Sequence, residues 1–68
     1  MNNKLLDALR TRNEAKKSEA LATLDVYLNN AAGIGEHPQV VEEMAKQLES
    51  LAAADDNLEA LKLYYEEG

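Results

Sequence analysis

The fold of this chain is decided by one short stretch, Gly33-Ile34-Gly35-Glu36-His37-Pro38. It holds the only proline and two of the three glycines in 68 residues. Gly33 suits the left-handed position that follows a helix, with Ile34 folding back onto the last helical turn. Gly35 lets the chain turn, and His37 or Glu36 then caps a helix that opens at Pro38, whose fixed φ suits the first helical position. The stretch therefore predicts helix, turn, helix.

The sequence on both sides of this turn is rich in Ala, Leu, Glu, Lys and Gln, which lose little freedom in a helix. No run has the alternating, β-branched pattern of a strand. We therefore expect a single all-α domain over 1–68, with helix 1 over about 3–32, the turn over 33–37 and helix 2 over about 38–66. Asn2 or Asn3 can cap the first helix by accepting backbone N–H bonds.

The second helix carries one apolar stripe along most of its length. Its members recur close to the helical period, and they are Val40, Met44, Leu48, Leu51, Ala54, Leu58, Leu61 and Tyr65. The run Asp55-Asp56-Asn57 interrupts the composition, and Asp56 with Glu59 imitates a capping box. Because the stripe keeps its phase there, we expect one long helix; a break near Ala54 is the alternative.

The first helix has a weaker stripe, because only Ala15 is apolar between Arg10 and Glu19. Two helices joined by about five residues fold back as an antiparallel hairpin. With the turn centred near residue 34, the facing groups are Leu28 with Val40 and Val41, Leu24 with Met44, and Leu21 with Leu48. In the middle, Ala15 is expected to face Ala52, Ala53 and Ala54, with Arg12 and Lys16 within reach of Asp55, Asp56 or Glu49.

The apolar faces are too wide for one neighbouring helix, which predicts association. Only 20 side chains are apolar and larger than alanine, and the chain has no Phe or Trp. A core this thin barely offsets the entropy of ordering the chain. We therefore expect a homodimer in which two hairpins form a four-helix bundle. The expected interior and association residues are Leu21, Leu24, Tyr27, Leu28, Val41, Met44, Leu48, Leu51, Leu58, Leu61 and Tyr65.

Composition excludes several classes of protein. There is no cysteine, so disulfide frameworks, zinc knuckles and thiol nucleophiles are absent. The net charge of −6 argues against nucleic-acid binding, since phosphate contacts need clustered cations. Residues 1–20 carry +2 and residues 21–68 carry −8, so the two helices should attract each other. No signal peptide or membrane segment is evident, which predicts a cytoplasmic protein without a membrane partner.

The sequence offers little for catalysis. Glu36 and His37 could begin a metal site, but a single histidine is short of the three or four ligands that zinc needs. The pair Gly33 and Gly35 lacks the strand and third glycine of a phosphate-binding loop. Adjacent carboxylates on a helix point about 100° apart and need a pocket to act as acid and base. We expect no enzyme activity, no catalytic residue, no metal and no cofactor.

The run Val26 to Pro38, followed by the acidic helix from Val40, resembles short proteins encoded by tailed bacteriophages, including marine ones. The likeness covers about residues 20–65, and the GIGEHP turn is its specific part. The resemblance implies a helical hairpin, a phage origin and a location in the host cytoplasm. It implies no activity or ligand.

Two functions remain open on this reading. The first is a small non-enzymatic structural or protein-interaction module that acts as a homo-oligomer and binds another phage or host protein. The alternative is an acidic inhibitor that imitates nucleic-acid charge and blocks a host nucleic-acid-binding protein.

Overall fold

The structure is a computed structural model that describes residues 3–29 and 38–66 of the chain. Over these ranges it is all helical, with no strand, as the composition predicts. Helix α1 spans Lys4–Asn29 and helix α2 spans Pro38–Leu61, followed by a π-helical turn at Lys62–Glu66. The predicted residues 30–32 of the first helix lie outside the described ranges. So do Gly33, Ile34, Gly35 and His37 of the predicted turn.

The start of α1 is fixed by a side-chain cap. Asn3 Oδ1 accepts hydrogen bonds from the backbone N–H groups of Leu5 at 3.0 Å and Leu6 at 3.2 Å. The carbonyl of Asn3 accepts the N–H of Asp7, which is the first bond of the helix. These contacts satisfy donors that have no partner inside the helix. Asn3, one of the two predicted capping residues, caps the helix, and Asn2 lies outside the described ranges.

Helix α2 begins at Pro38 in the described chain, and it does not break at Ala54. The continuous helix expected from the unbroken stripe is confirmed as far as Leu61. Beyond it the backbone widens into the π-helical turn, where hydrogen bonds join residues five apart. The 3.6-residue spacing no longer holds there. Tyr65, expected to continue the stripe, is consequently 65% exposed.

The two helices pack side by side in opposite directions and form a rod of 51 × 14 × 14 Å. Contacts of Arg10 with Glu66 and of Lys17 with Asp55 set the direction, since positions rise along α1 as they fall along α2. We call the end that bears Asn29 and Pro38 the closed end, and the end that bears Lys4 and Glu66 the open end. The helical hairpin is thus the architecture of the described chain.

The interface between the helices, which we call the seam, follows a spacing of alternating three and four residues. This spacing is typical of helices that pack along their full length. On α1 the buried and half-buried residues that follow this spacing are Leu6, Arg10, Asn13, Lys17, Ala20, Leu24 and Tyr27. On α2 they are Val40, Met44, Gln47, Leu51, Ala54, Leu58 and Leu61. Three residues next to the seam are also half-buried: Thr23, Glu43 and Ser50.

The seam corrects the predicted facing residues at several positions. Leu21, Leu28 and Leu48 were expected to face the other helix, but all three are exposed. Gln47 occupies the seam where Leu48 was expected, because the observed spacing places the seam one residue earlier.

The predicted middle of the hairpin is also wrong. Ala15 is exposed, whereas Ala20 and Ala54 are the small residues that become buried, each with 1% of its surface exposed. Lys17, and neither Arg12 nor Lys16, pairs with Asp55. A turn centred at 34 requires facing positions to sum to about 68, whereas Asn13 and Asn57 sum to 70 and Lys17 and Asp55 to 72, so the partner of a given α1 residue lies two to four residues further along α2 than expected.

Candidate interaction surfaces

A hydrogen bond between two asparagines crosses the seam in its open half. Asn57 Nδ2 donates to Asn13 Oδ1 at 3.0 Å, and Asn13 Nδ2 donates to the carbonyl of Leu9 at 2.8 Å. Asn13 is the most enclosed polar residue described, with 8% of its surface exposed. Because both the oxygen and the nitrogen of its side-chain amide have a partner, its burial leaves no polar atom unpaired. The pair therefore fixes how the helices align.

Ion pairs flank this bond on both sides along the rod. Arg10 Nη1 lies 2.9 Å from Asp7 Oδ1, and Arg10 Nη2 lies 3.0 Å from Glu66 Oε1. The hydrogen bonds to Glu66 and then to Asp7 raise the pKa of the Arg10 guanidinium above its usual value, so it stays charged. On the other side, Lys17 Nζ lies 2.9 Å from Asp55 Oδ1. The open half of the hairpin is thus joined mainly by polar contacts.

The buried apolar part of the described chain is small. It consists of Ala20, Ala54 and Leu61, and no large side chain is fully enclosed. Of the eleven residues expected in the interior or at an association surface, Leu61 is buried. Five more are half-buried at the seam: Leu24, Tyr27, Met44, Leu51 and Leu58. The other five are exposed: Leu21, Leu28, Val41, Leu48 and Tyr65.

Four of these exposed residues line one edge of the hairpin near its closed end. Leu21 and Leu28 lie seven residues apart on α1, and Val41 and Leu48 lie seven apart on α2, so each pair shares one side of its helix. Each of the four also follows directly after a seam residue. In an antiparallel pair, positions directly after the seam lie on the same edge. We call this group, Leu21, Leu28, Val41 and Leu48, the apolar edge.

Further apolar residues are exposed at the open end. Leu5 is 78% exposed and Tyr64 is 75% exposed. Nearby, a shallow cavity between the helices is lined by Leu9, Asn13, Asn57, Ala60, Leu61 and Tyr65. Sequence reasoning missed Asn13 and Asn57 here. The signal that could have found them is the seam spacing, which runs through Asn13 although the residue is polar.

A line of carboxylates follows the outer side of α2. Glu42, Glu49 and Asp56 are each exposed and lie seven residues apart, so they share one face of the helix. We call them the acidic row. Unlike Asp55 and Glu66, which pair with cations of α1, the acidic row faces away from α1.

The described residues contain no group of three or more histidines or carboxylates that could hold a metal ion. Glu36 and His37, the residues considered for a metal site, lie outside the described ranges. Neither described helix is long and apolar enough to cross a membrane. The features that stand out on the described surface are therefore the apolar edge, the apolar area at the open end and the acidic row.

Comparison with known proteins adds no relative. No family model matches the chain, and no curated protein or solved structure is significantly similar to it.

Proposed function

We propose that this protein is a small, non-enzymatic interaction module that works as a homodimer, with two hairpins packed into a four-helix bundle. The observation that carries this proposal is the distribution of leucines. Among the described residues, Leu5, Leu9, Leu21, Leu28, Leu48 and Leu63 all keep 45% or more of their surface exposed. A single copy therefore leaves most of its available core uncovered.

The energetic reason for association follows from this exposure. Covering a leucine side chain that is otherwise exposed to water contributes about 1.5–3 kcal/mol. Natural monomers rarely leave contiguous apolar areas of this kind uncovered, and such areas usually mark interaction sites. Since the apolar edge has two residues on each helix, a second hairpin can cover both helices at once. A closed C₂ dimer is the commonest way to achieve this.

The role that we propose for the dimer in the cell follows from the resemblance of the turn and α2 to phage proteins. A phage-encoded dimer would act in the host cytoplasm and present its remaining surface to another phage or host protein. The cavity that Leu9, Leu61 and Tyr65 line at the open end is a surface that such a partner can use, because aromatic and aliphatic groups dominate binding energy at interfaces.

Sedimentation equilibrium between about 1 and 100 µM tests the proposal. A dimer has a mass of about 15 kDa, twice the 7.5 kDa of one chain. We expect this mass together with a helical circular dichroism spectrum. A stably folded chain of 7.5 kDa at 100 µM would refute the dimer.

The acidic row supports a second candidate, an inhibitor that imitates the charge of nucleic acid. Successive members of the row lie about 10 Å apart, from seven residues at 1.5 Å each. Electrostatic binding of this kind weakens steeply as salt rises. We would test it by capturing nucleic-acid-binding proteins from host lysate in 50 and 300 mM salt. The controls are duplex DNA as competitor and a bait with E42Q, E49Q and D56N. Capture that survives high salt, or that the triple variant retains, would refute the inhibitor.

A further inference from the structure

We infer that the second copy docks on the apolar edge with its closed end beside the closed end of the first. In this arrangement, Leu21 packs against Leu48 of the partner, and Leu28 packs against the partner's Val41. The inference rests on the proposed homodimer and specifies its interface and direction. It is carried by the order of residues along the edge.

The edge has an apolar half and a charged half. From the open to the closed end, α1 presents Asp7, Glu14, Leu21 and Leu28, each seven residues after the last. In the same direction, α2 presents Asp55, Leu48 and Val41, which are also seven residues apart. The apolar residues of both helices therefore lie toward the closed end, and the charged residues of both lie toward the open end.

The bond between Asn13 and Asn57 shows which positions are level with one another. Leu21 lies eight residues from Asn13 toward the closed end. Position 49, next to Leu48, lies eight residues from Asn57 in the same direction, so Leu21 and Leu48 are nearly level. Fifteen residues from the same two asparagines, Leu28 is level with position 42, next to Val41. Offsets of one residue correspond to about 1.5 Å, well within the reach of a leucine side chain.

A two-fold axis parallel to the rod leaves each residue at the same height along the rod in both protomers. It places α1 of one protomer against α2 of its partner, with the closed ends together. At the two apolar levels, Leu21 then meets Leu48 of the partner and Leu28 meets the partner's Val41. At the outermost charged level Asp7 keeps Arg10 of its own hairpin as its partner, at 2.9 Å. At the next level Glu14 approaches the partner's Asp55, whose charge is already paired with Lys17.

A two-fold axis perpendicular to the rod is unfavourable. With the two rods fully overlapped, it brings α1 against α1 in opposite directions. Leu28 then covers Asp7 of the partner, and Leu21 covers the partner's Glu14. Leucine side chains then lie against carboxylates, so the contacts between apolar residues are lost and the carboxylates lose contact with water, both of which are unfavourable. The same axis places Leu48 against the partner's Asp55.

A staggered arrangement, in which only the closed halves overlap, avoids this cost but gives up contact area. It pairs Leu21 with Leu28 of the partner and leaves the open halves of both rods without a neighbour. Since apolar stabilisation grows with the area removed from water, the fully overlapped dimer with closed ends together is favoured.

Spin labels at Lys4 separate these three arrangements. The chain has no cysteine, so Lys4→Cys gives a single labelling site at the exposed start of α1. Pulsed dipolar spectroscopy on the K4C protein should give a distance below about 30 Å when the closed ends lie together. The fully overlapped opposite arrangement gives about 40 Å and the staggered one about 60 Å, from 1.5 Å per residue.

Two variants matched in exposure test the surface itself. Leu48 and Val26 are each 59% exposed, but only Leu48 belongs to the apolar edge. Leu48→Lys should raise the dimer Kd at least tenfold, whereas Val26→Lys should leave it unchanged. Circular dichroism checks that each variant is helical, and Leu21→Lys replaces Leu48→Lys if the latter fails to fold.

The outcomes distinguish this inference from the proposed function. A dimeric protein with a Lys4 distance near 40 or 60 Å overturns the arrangement and leaves the homodimer standing. Equal loss of association in the Leu48 and Val26 variants overturns the choice of surface. A monomer in sedimentation overturns both the inference and the proposed function.

Discussion

Asn57 donates a hydrogen bond to Asn13 across the seam, and this bond joins two uncharged polar side chains of the opposing helices. Asn13 in turn donates to the carbonyl of Leu9 one helical turn earlier, which holds its amide in place. A shift of one helix by a residue would separate the two amides and leave Asn13 enclosed without its partner. A buried asparagine of this kind sets the register of paired helices at some cost in stability.

Removing one member of this pair should destabilise the protein. For Asn13→Ala we expect a loss of about 1–3 kcal/mol in the free energy of unfolding, since the substitution removes both hydrogen bonds of the side chain. Asn57→Ala should cost less, because it leaves the bond from Asn13 to Leu9 intact. Urea denaturation of both single variants and the double variant, at one protein concentration, gives the coupling between them. Strictly additive losses would contradict a direct bond.

Ala20 should not tolerate a larger side chain. It lies at the seam with almost no exposed surface, whereas Ala22 is exposed on the outer side of the same helix. Ala20→Leu forces the helices apart and should cost about 1–3 kcal/mol. Ala22→Leu is the matched control and should change stability by less than about 0.5 kcal/mol, because leucine and alanine are both good helix formers. Thermal unfolding of the two variants makes the comparison.

The cap at Asn3 should contribute measurably to helix α1. Asn3→Ala removes the acceptor for the N–H groups of Leu5 and Leu6 and should cost about 1 kcal/mol. Asn3→Asp keeps an acceptor and adds a charge that the helix N-terminus favours, so it should retain or slightly raise stability. Chemical denaturation followed by circular dichroism at 222 nm is the measurement. Equal stability of the alanine and aspartate variants would argue against the cap.

The pair of Lys17 and Asp55 should contribute little on its own. Both side chains are about half exposed, and exposed ion pairs contribute about 0–1 kcal/mol. Lys17→Met should therefore change the free energy of unfolding by less than about 1 kcal/mol, and any loss should shrink at 0.5 M NaCl. Lys16→Met is the control, since Lys16 lies beside Lys17 but makes no ion pair with a described residue. A salt-independent loss of several kcal/mol would contradict this assignment.

The two helices could be predicted from the sequence because the relevant signals are local. Helix-forming composition, the cap at Asn3 and the start at Pro38 each depend on a few neighbouring residues, and the structure shows two helices with the cap at Asn3. The apolar stripe of α2 was also nearly correct. It fails at Leu48, because Gln47 follows the seam spacing better although it is polar, and at Tyr65, because the π-helical turn changes the spacing there.

The stripe of α1 and the register could not be predicted in the same way. Arg10, Asn13 and Lys17 occupy the seam, so a search for apolar periodicity passes over it. The alignment of the helices depends on where long side chains find partners, which simple symmetry about the turn does not describe. The apolar edge lay among the predicted residues, but the sequence did not separate it from those at the seam.

The absence of any large, fully enclosed side chain in the described chain has a consequence for how this protein responds to its own concentration. A folded state that two copies complete together is governed by mass action, so its melting temperature rises with the amount of protein present. We expect dilution to unfold this chain much as heating unfolds a protein with an internal core. In the cell, the level of synthesis would then determine how much of the protein is folded.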